Sequence, residues 1–600
     1  MRLACLLPLL ALLTGLLPGM TGLYPAPAPL IAATWSEQVS PPPPQNFGPD
    51  TYRTHVFTGR RITRPGLTCD AASAGGQICT GFLPSAVDRT LLDVMLMVPP
   101  GIGPHPLVTL LHGWGGSKGS SGDIADVLLG DGYAVLRYSA RGFGHSWGQV
   151  NLSDVHVEME DLRSLIGQIV DRQELQIDPD AVAITGASYG GGQSWLALLH
   201  PTFRSPRGAT VRIRTVVPIV PWSDLLYSLM PNGRSEHSLE PAGSLKLSYV
   251  NGFYVSGLRR SSDRPYLNYP AYLIGWHAWM NGMEPNHFDP VYRRIINGIA
   301  GYRSIWWQQP FWRDAAQSRV PVFQVQGLTD DLFPLPEAKR MLLALRTVDP
   351  LYPIASYFGD LGHPRASNKP AEVDYVLELI REWLAYYLRG AGSEPAHAIR
   401  AAITRPRDQP FSPRDVITVT NYDMLATRTV TKEFSGSATL INPVSDPYRG
   451  FFWDPLVMEA ARELKPYPVP PPDPAVVEAS LAVYRVGVAE LTGGSSLLLA
   501  GQPTVSLRTF TLVPRVQLNV RLLDVGGDGT RYLVTRGTYI VDSVGAADVM
   551  IETYGNVWEA APDHLLEIEI TNLDSPYITP SRVPSMTQIS DVRLQLPVRQ

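Results

Sequence analysis

Short apolar runs recur along the chain from about residue 90 to residue 390, with helical patterns between several of them. The runs are rich in Val, Ile, Leu and Tyr on both faces, which predicts strands buried inside a parallel sheet. They are LLDVMLMVP, LVTLLHG, YAVLRYS, AVAITG, TVVPIVP, VPVFQVQG and IASYFG. Residues 155–172 and 336–345, between such runs, have helical periodicity. This alternation predicts an α/β fold over residues 85–390, with a doubly wound and mostly parallel sheet.

One interval interrupts the alternation. Between Pro221 and Val320 no clear strand pattern occurs, and helical pieces carry aromatic residues on several sides. Such an insertion predicts a helical cap at about residues 225–315, over the sheet edge where ligands bind in these folds. We expect most of the rings in the core and a few along a pocket. The rings are Tyr249, Phe253, Tyr254, Tyr266, Tyr269, Tyr272, Trp276, Trp279, Trp306, Trp307, Phe311 and Trp312.

The pattern changes after residue 390. Strand-like runs such as TVSLRTFTLV, VQLNVRLLDV, RYLVTRGTYIV and LLEIEITNL follow one another without helices between them. The segment GGDG at 526–529 separates two of these runs and predicts a hairpin. Residues 391–600 are therefore predicted to form a C-terminal β-sandwich, and they contain no titratable cluster of catalytic type.

Composition removes several classes of protein. The 600 residues are 18% charged and 44% hydrophobic, which excludes a chain that is disordered throughout. The net charge of −5, from 50 basic and 55 acidic residues, creates no basic field for nucleic acid. Three cysteines are too few for a cysteine-ligated zinc cluster, and no HExxH occurs. We expect no cofactor and no metal, and a small ester or short peptide as the binding partner; the oligomeric state is open.

The N-terminal residues indicate where the protein works. Met1-Arg2 precedes the apolar run LACLLPLLALLTGLLP, which has the length of a signal-peptide core and is shorter than the ~20 residues of a membrane span. Residues 1–30 are predicted as a signal peptide of an exported protein, secreted or in the periplasm or cell envelope, with an uncleaved anchor as the alternative. Removing Cys5 leaves Cys69 and Cys79, in an N-terminal extension over residues 31–84. We expect a disulfide between them, with a reactive cysteine pair as the alternative.

The clearest chemical motif is Gly186-Ala187-Ser188-Tyr189-Gly190. It follows the strand AVAIT and precedes a helical pattern, GGQSWLALLH. Gly-x-Ser-x-Gly needs both glycines because the serine lies on a strained strand-to-helix turn where side chains two residues away would clash. The turn exposes the hydroxyl at the edge of the sheet, and we predict Ser188 as a nucleophile.

A serine nucleophile needs a base and an acid, which in this fold follow it along the chain. Asp330 comes three residues after the strand VPVFQVQG, and His363 comes just past the strand IASYFG. We predict that His363 takes the proton of Ser188 and that Asp330 orients the imidazole. Asp331 and Asp360 are the alternative acids.

Acyl transfer also requires hydrogen-bond donors for the developing oxyanion. The backbone N–H of Tyr189, the residue after the nucleophile, is one candidate. The glycine-rich turn His112-Gly113-Trp114-Gly115-Gly116 follows an early strand, and we expect the second donor to be the N–H of Trp114. A tight turn that serves only packing is the alternative for this loop.

The motifs GASYGG, GLTDDLFP, GDLGH and RGFGHSWG resemble the Xaa-Pro dipeptidyl-peptidase (S15) and cocaine esterase-type hydrolases. GQPTVSLRT and VQLNVRLLDVGGDGTRYLVTRG resemble the C-terminal jelly-roll domain of these proteins. The resemblance covers roughly residues 85–600 and implies an α/β-hydrolase core with a helical cap and a galactose-binding-like sandwich. It implies the same roles for Ser188, Asp330, His363 and Tyr189. Those families often place a tyrosine hydroxyl in the oxyanion hole, whereas this chain has HGWGG, which leaves the second donor open.

These observations predict a secreted serine hydrolase that cleaves ester or peptide bonds through an acyl-enzyme on Ser188, most like the Xaa-Pro dipeptidyl-peptidases. Release of dipeptides needs an anionic group for the substrate's α-amine, and Asp224, Glu236 and Glu240 near the cap are candidates. A carboxylesterase or acylase acting on small apolar esters is the alternative. A non-catalytic glycan-binding protein is a remote one.

Overall fold

The structure is a computed structural model that describes residues 38–48, 65–72, 75–258, 267–444, 478–575 and 577–600. The predicted signal peptide, Cys5 and Tyr266 lie outside the described residues. In the part of the chain that is described, no helix combines the length and the hydrophobicity needed to cross a membrane.

A twelve-stranded sheet forms the framework of the N-terminal two thirds. Its strands are β1 Gly66–Ala71, β2 Gln77–Pro84, β3 Leu91–Val98, β4 His105–Leu111, β5 Ala134–Tyr138, β6 Ile177–Ala187, β7 Thr202–Arg204, β8 Thr210–Ile219, β9 Val322–Gly327, β10 Ile354–Gly359, β11 Ile399–Ala402 and β12 Val416–Val419. The order is β1-β2-β3-β5-β4-β6-β8-β9-β10-β11-β12, with β7 paired to β8. From β5 to β11 every neighbouring pair is parallel.

Helices cover both faces of this sheet and fill the interval after β8. They are α1 Gly122–Gly130, α2 Glu158–Val170, α3 Tyr189–Leu196, α4 Leu225–Leu229, α5 Leu247–Gly257, α6 Ala271–Gly282, α7 Pro290–Arg303, α8 Gln309–Ser318, α9 Pro336–Val348 and α10 Pro370–Arg389. Every residue of β5, β9 and β10 is buried, as predicted for strands inside a parallel sheet. The predicted α/β fold with a doubly wound parallel sheet is confirmed.

The strand order explains where a site can form. The chain goes from β4 to β5 on one side and continues through β6 and β8 on the other, so the order reverses at the β4–β6 pair. Ligands bind in such sheets beyond the carboxyl ends of the strands at this switch point. The loop 112–116 and Ser188 both lie there, directly after β4 and β6.

The sheet extends beyond the core at both edges. β1 and β2 form an antiparallel hairpin, in which Cys69 is opposite Cys79, and a disulfide bond joins the two residues. At the other edge β11 and β12 continue the sheet after α10. The hydrolase sheet thus runs past residue 390, where the sequence predicted the start of the β-sandwich.

The interval between β8 and β9 forms a cap of helices α4 to α8. The carboxylate of Asp224 accepts a hydrogen bond from the backbone N–H of Leu226 and so caps α4, and Asp289 caps α7 in the same way. Most of the aromatic rings are buried in the core, as expected, including Trp306, Trp307 and Trp312.

Two antiparallel sheets form the C-terminal domain. Their strands are β13 Arg428–Asn442, β14 Leu481–Gly487, β15 Leu497–Gly501, β16 Thr504–Thr511, β17 Val516–Val525, β18 Arg531–Val541, β19 Gly545–Glu552, β20 Asn556–Ala560, β21 Leu565–Thr571 and β22 Ser585–Arg599, with the short helix α11 Val488–Thr492. One sheet has the order β19-β16-β22-β15-β20 with β13 on β22, and the other β14-β21-β17-β18. Residues of both sheets share one apolar core, and GGDG forms the predicted β17–β18 hairpin.

Candidate active site

Ser188 lies on a sharp turn between β6 and α3. Its backbone has φ 58° and ψ −111°, a left-handed conformation that a serine adopts only where its surroundings enforce it. The N–H of Ser188 donates to the carbonyl of Ile219 on β8, and its carbonyl accepts from Gly192 in α3. The turn therefore holds the side chain at the carboxyl edge of the sheet.

The two glycines of the motif allow this turn to pack against β4. A Cβ on Gly186 would lie 2.6 Å from the carbonyl oxygen of Leu111, and a Cβ on Gly190 would lie 2.6 Å from the same oxygen. Real Cβ atoms do not approach an oxygen so closely, so any larger residue would push α3 away from the sheet. The motif thus needs glycine at both positions because a Cβ there would clash with the carbonyl oxygen of Leu111, the last residue of β4.

The structure brings Ser188, His363 and Asp330 together. The Ser188 Oγ and the His363 Nε2 are 2.7 Å apart, and the His363 Nδ1 is 2.7 Å from the Asp330 Oδ2. Because a carboxylate accepts only, Nδ1 carries the proton and Nε2 of the neutral ring is left with a lone pair. The hydroxyl of Ser188 then donates to Nε2, which is the arrangement that activates a serine nucleophile.

Asp330 is held by four N–H groups. Its Oδ1 accepts from the backbone N–H groups of Leu332 and Phe333, at 2.9 and 3.0 Å. Its Oδ2 accepts from both the ring and the backbone N–H of His363. The carboxylate is buried, so its position and its partners are fixed together.

The two alternative acids contact other groups. Asp331 accepts two hydrogen bonds from Arg365, at 2.7 and 3.0 Å, and pairs with Arg536 of the C-terminal domain at 3.4 Å. Asp360 accepts from the hydroxyl of Thr329 and the backbone N–H of Ser367. Neither carboxylate contacts His363, so the geometry favours Asp330.

The glycine-rich loop after β4 passes next to the serine. A Cβ built on Gly113 would lie 3.9 Å from the Cβ of Ser188. His112 fixes the loop, because its Nε2 accepts from the N–H of Ala140 and its Nδ1 donates to the carbonyl of Gly113. Burial lowers the pKa of His112 to about 4, which keeps the ring neutral for this role.

The two predicted oxyanion donors are the backbone N–H groups of Tyr189 in α3 and Trp114 in the loop after β4. Tyr189 is the first residue of α3, where helix geometry leaves the backbone N–H without an intrahelical acceptor. The rings of Trp114 and Tyr189 are in edge-to-face contact at 5.2 Å, and the indole N–H of Trp114 donates to the carbonyl of Phe253 in the cap. The roles of the two backbone N–H groups stay predictions.

A cavity with about 830 Å³ of empty space, part of it continuous with solvent, opens beside Ser188. Apolar and aromatic side chains from the core and the cap form nearly all of its wall. They are Trp114, Leu152, Tyr189, Trp222, Leu225, Leu229, Val250, Phe253, Tyr254, Tyr269, Leu273, Trp276, Met280, Ile299, Leu332 and Phe333; Ser188 and His277 complete the lining. The expectation that a few cap rings line a pocket is confirmed.

No carboxylate lines this cavity among the described residues. Asp224 is fully buried and accepts from the hydroxyl of Ser238 and the indole of Trp307. Glu236 and Glu240 are not part of the lining. The candidate anchors for a substrate's α-amine therefore do not reach the cavity.

The sequence did not predict one group that supports the loop after β9 with Asp330 and Asp331, called the acid loop below. Lys246, at the start of the cap helix α5, is fully buried, and its ammonium donates to the carbonyls of Asp331 and Leu332 at 2.6 and 2.8 Å. Burial lowers the pKa of Lys246 to about 7. Its one sequence signal is a lysine inside the apolar stretch SLKLSYV, which does not identify a partner.

The C-terminal domain completes that support. The hydroxyl of Tyr577 donates to the carbonyl of Asp331 at 2.9 Å, and Arg536 bridges Asp331 and Asp574. The contacts of Tyr577 and Arg536 with Asp331 join residues more than 200 positions apart, so no local pattern could reveal them. They connect the β domain directly to the residue beside Asp330.

The sequence model of the X-Pro dipeptidyl-peptidase (S15) family matches residues 88–363, which contain all three residues of the site. Among solved structures, the chain is similar to a CocE/NonD family hydrolase of Staphylococcus aureus, with a TM-score of 0.58, 11% identity and coverage of 92% of this chain and 100% of that one. An aminopeptidase of a marine-sediment Thaumarchaeota archaeon has a TM-score of 0.54 and 14% identity, with 91% of this chain and 99% of that one covered. An α-amino acid ester hydrolase has a TM-score of 0.55 and 14% identity, with 91% of this chain and 100% of that one covered.

The curated relatives share only part of their length with this chain. The quorum-quenching protein AidA of Acinetobacter baumannii is 36% identical over 89 residues, which is 14% of this chain and 29% of that protein. An uncharacterized 31.7 kDa protein of Escherichia coli is 29% identical over 128 residues, 21% of this chain and 41% of that one. The chain thus spans less than half the length of these relatives.

The resemblance predicted from the motifs is confirmed. The S15 family model matches residues 88–363, and the described chain has the fold of the CocE/NonD hydrolases, with an antiparallel β domain at its C-terminal end. The fold, the family match and the Ser188–His363–Asp330 geometry define a serine hydrolase of the α/β-hydrolase class.

Proposed function

We propose that the protein forms an acyl-enzyme on Ser188 and cleaves esters whose acyl group is apolar and uncharged. His363 takes the Ser188 proton at Nε2 while Oγ attacks the ester carbonyl, and Asp330 stabilises the imidazolium that forms. The N–H of Tyr189 and a backbone N–H of loop 112–116 donate to the oxyanion. His363 then protonates the leaving alkoxide, and water attacks the acyl-enzyme with His363 as base again.

The observation that carries this proposal is the lining of the cavity beside Ser188. Apolar surface contributes about 25 cal/mol per Å² when it is removed from water, whereas an ammonium group without a partner would lose its hydration there. A wall of rings and aliphatic side chains without a carboxylate in its described part therefore favours an uncharged acyl group.

Release of an N-terminal Xaa-Pro dipeptide is the second candidate, and the S15 family match favours it. That reaction also uses an acyl-enzyme on Ser188. It differs in requiring a group that holds the α-ammonium of the substrate.

Matched substrates separate the two candidates. We expect kcat/KM for p-nitrophenyl hexanoate to exceed that for p-nitrophenyl 6-aminohexanoate at least about 30-fold, because the second ester would bury an unpaired ammonium. Rapid hydrolysis of Ala-Pro p-nitroanilide together with a preference for the amino ester would support dipeptide release instead. Ser188→Ala must abolish every activity assigned to this site, while Ser393→Ala, at an exposed serine, serves as the matched control.

We also propose that the protein is exported and acts on small-molecule substrates outside the cytoplasm. The apolar run near the N-terminus and the disulfide between Cys69 and Cys79 support this, since disulfides persist in oxidising compartments. Fractionation of cells that express the full chain is the test. Protein found only in the cytosol with Met1 retained would contradict export.

A further inference from the structure

Four rings form a stack along one wall of the cavity. The ring centroids of Trp114 and Tyr269 are 6.3 Å apart, those of Tyr269 and Tyr254 5.0 Å, and those of Tyr254 and His277 3.6 Å. The successive interplanar angles are 18°, 8° and 4°. The stack begins at Trp114, beside the residue that follows Ser188, and ends at the imidazole of His277 in the cap.

A chain of hydrogen bonds determines which nitrogen of His277 carries the proton. The carbonyl of His277 can only accept, so the group of Asn281 that contacts it at 2.9 Å is its Nδ2. The Oδ1 of Asn281 therefore accepts from the Nδ2 of Asn251, at 3.0 Å. The Oδ1 of Asn251 in turn accepts from the Nε2 of His277, at 2.7 Å, so Nε2 is the N–H.

The other ring nitrogen is consequently a hydrogen-bond acceptor. Burial lowers the pKa of His277 to about 4, so the ring is neutral at pH 7 and its Nδ1 has a lone pair. Within the described ranges, no hydrogen-bond partner contacts this nitrogen, and His277 lines the cavity. Apart from Ser188, the tyrosine hydroxyls and the indole N–H groups, His277 provides the one polar side-chain group in the described lining.

We propose that His277 determines specificity within the proposed esterase function, by accepting a hydrogen bond from a donor at the far end of the acyl group. The substrate class is an ester of an arylalkanoic acid whose ring carries a phenolic hydroxyl or a similar O–H or N–H donor. The acyl carbonyl lies at Ser188, the aromatic part lies along the ring stack, and the donor meets Nδ1 of His277. Because Asn251 and Asn281 hold the tautomer, they are positioning residues for this contact.

Three p-nitrophenyl esters test the proposal: 4-phenylbutanoate, its 4-hydroxyphenyl analogue and its 4-methoxyphenyl analogue, which accepts but does not donate. We expect the wild-type kcat/KM for the hydroxyl ester to exceed that for the phenyl ester by about threefold to tenfold, the factor that one net hydrogen bond contributes. His277→Phe preserves a ring that stacks on Tyr254 but removes Nδ1. The ratio should fall to about one in this variant.

His287→Phe is the matched control. His287 lies in the loop between α6 and α7, contacts Phe288 and is not part of the cavity lining. The hydroxyl-to-phenyl ratio in this variant should equal that of the wild type. A hydroxyl-to-phenyl ratio near one in both variants would show that the change comes from general damage to the cap, and would overturn the proposal.

Asn251→Leu and Asn251→Asp test the tautomer itself, both assayed at pH 8. Leucine removes the acceptor of the Nε2–H, so the proton is no longer held on that nitrogen and the hydroxyl-to-phenyl ratio should fall. The carboxylate of Asn251→Asp accepts from the same N–H, as Asp330 accepts from His363, so this variant should retain the ratio. The methoxy ester, which cannot donate, should show no preference over the phenyl ester. An unchanged hydroxyl-to-phenyl ratio in Asn251→Leu would contradict the hydrogen-bond chain.

Two results overturn the proposal: a wild-type hydroxyl-to-phenyl ratio of one, or a higher ratio that persists in His277→Phe. Failure of the proposed function has a different signature, since it would leave the hydrolysis of all three esters intact in Ser188→Ala. In that case the ratio is read by calorimetry from the Kd values of two ketones that cannot be hydrolysed, 5-(4-hydroxyphenyl)pentan-2-one and 5-phenylpentan-2-one. The hydroxyl ketone should still bind about threefold to tenfold more tightly, and only when His277 is present.

Discussion

The loop with Asp330 and Asp331 belongs to the hydrolase domain, but of these two adjacent carboxylates only Asp331 also pairs with a residue of the β domain. The hydrolase domain provides Ser188, His363 and Asp330, each from a loop that follows a strand of the parallel sheet. The β domain contributes none of these groups, yet its Arg536 and Tyr577 bind Asp331. The two adjacent carboxylates thus differ in their partners: Asp330 contacts His363 of the active site, and Asp331 contacts the β domain.

Asp330→Asn should cause the largest change, a loss of catalytic activity. An amide at this position would no longer enforce the Nδ1–H tautomer of His363, so we expect kcat/KM to fall about 10³- to 10⁴-fold. The free energy of unfolding should change far less than the activity. Steady-state kinetics and urea unfolding of the same preparation measure both, and near-wild-type activity would remove Asp330 from the site.

Asp331→Asn should reduce the free energy of unfolding strongly and the activity only weakly. The substitution leaves the mostly buried side chain of Arg365 without its carboxylate and removes one carboxylate partner of Arg536, so we expect a loss of about 3–5 kcal/mol in the free energy of unfolding. Activity per folded molecule should fall much less than in Asp330→Asn. If Asp331→Asn proved stable but inactive, the two carboxylates would have been assigned to the wrong roles.

The contrast between these neighbours also shows what the sequence could predict. The turn at Ser188 and the loop at His363 were predictable because each is a local pattern after an apolar strand. The acid was ambiguous, since Asp330 and Asp331 occupy almost the same place relative to β9. Only the direction of each side chain separates them, and it depends on Arg365 and His363, more than 30 residues away.

The cavity was predictable only in outline. Aromatic residues were expected to line a pocket, but which of them do so depends on how α5 and α6 pack over the sheet. The exclusion of Asp224 from that pocket follows from its role as the cap of α4, which three-dimensional contacts reveal. The continuation of the sheet into β11 and β12 was missed because these strands are four residues long and lack an extended apolar run.

Arg536→Met tests whether the β domain stabilises the acid loop. Arg536 is buried between Asp331 and Asp574, and each of these retains another arginine partner, so we expect a destabilisation of about 2–3 kcal/mol. Arg593→Met, which removes a partly exposed pair with Glu433 in the same domain, should cost no more than about 1 kcal/mol. Equal effects in urea unfolding would contradict a special role for the Arg536 contact.

Glu372→Gln concerns a carboxyl of the hydrolase domain that is not placed for catalysis, and its effect is a change in how stability depends on pH. Burial raises the pKa of Glu372 from 4.5 to about 7. The folded protein therefore holds this proton more tightly than the unfolded chain, and stability is lost as pH rises from about 4.5 to 7, by up to about 3 kcal/mol. Urea unfolding across this range should show a flatter pH dependence for Glu372→Gln than for the wild type.

Glu378→Gln, at an exposed position of the same helix α10, is the control and should retain the wild-type pH dependence. A Glu372→Gln protein with an unchanged pH dependence would show that the buried carboxyl does not hold the proton.

Trapping the acyl group on the protein tests directly whether Ser188 is the nucleophile. Full-length protein is mixed with p-nitrophenyl 4-phenylbutanoate, quenched in acid within the first turnover and examined by peptide mass spectrometry. We expect one phenylbutanoyl increment on the peptide that contains Ser188, and none in Ser188→Ala. Turnover of the ester without an adduct on Ser188, or an adduct on another residue that persists in Ser188→Ala, would contradict this assignment.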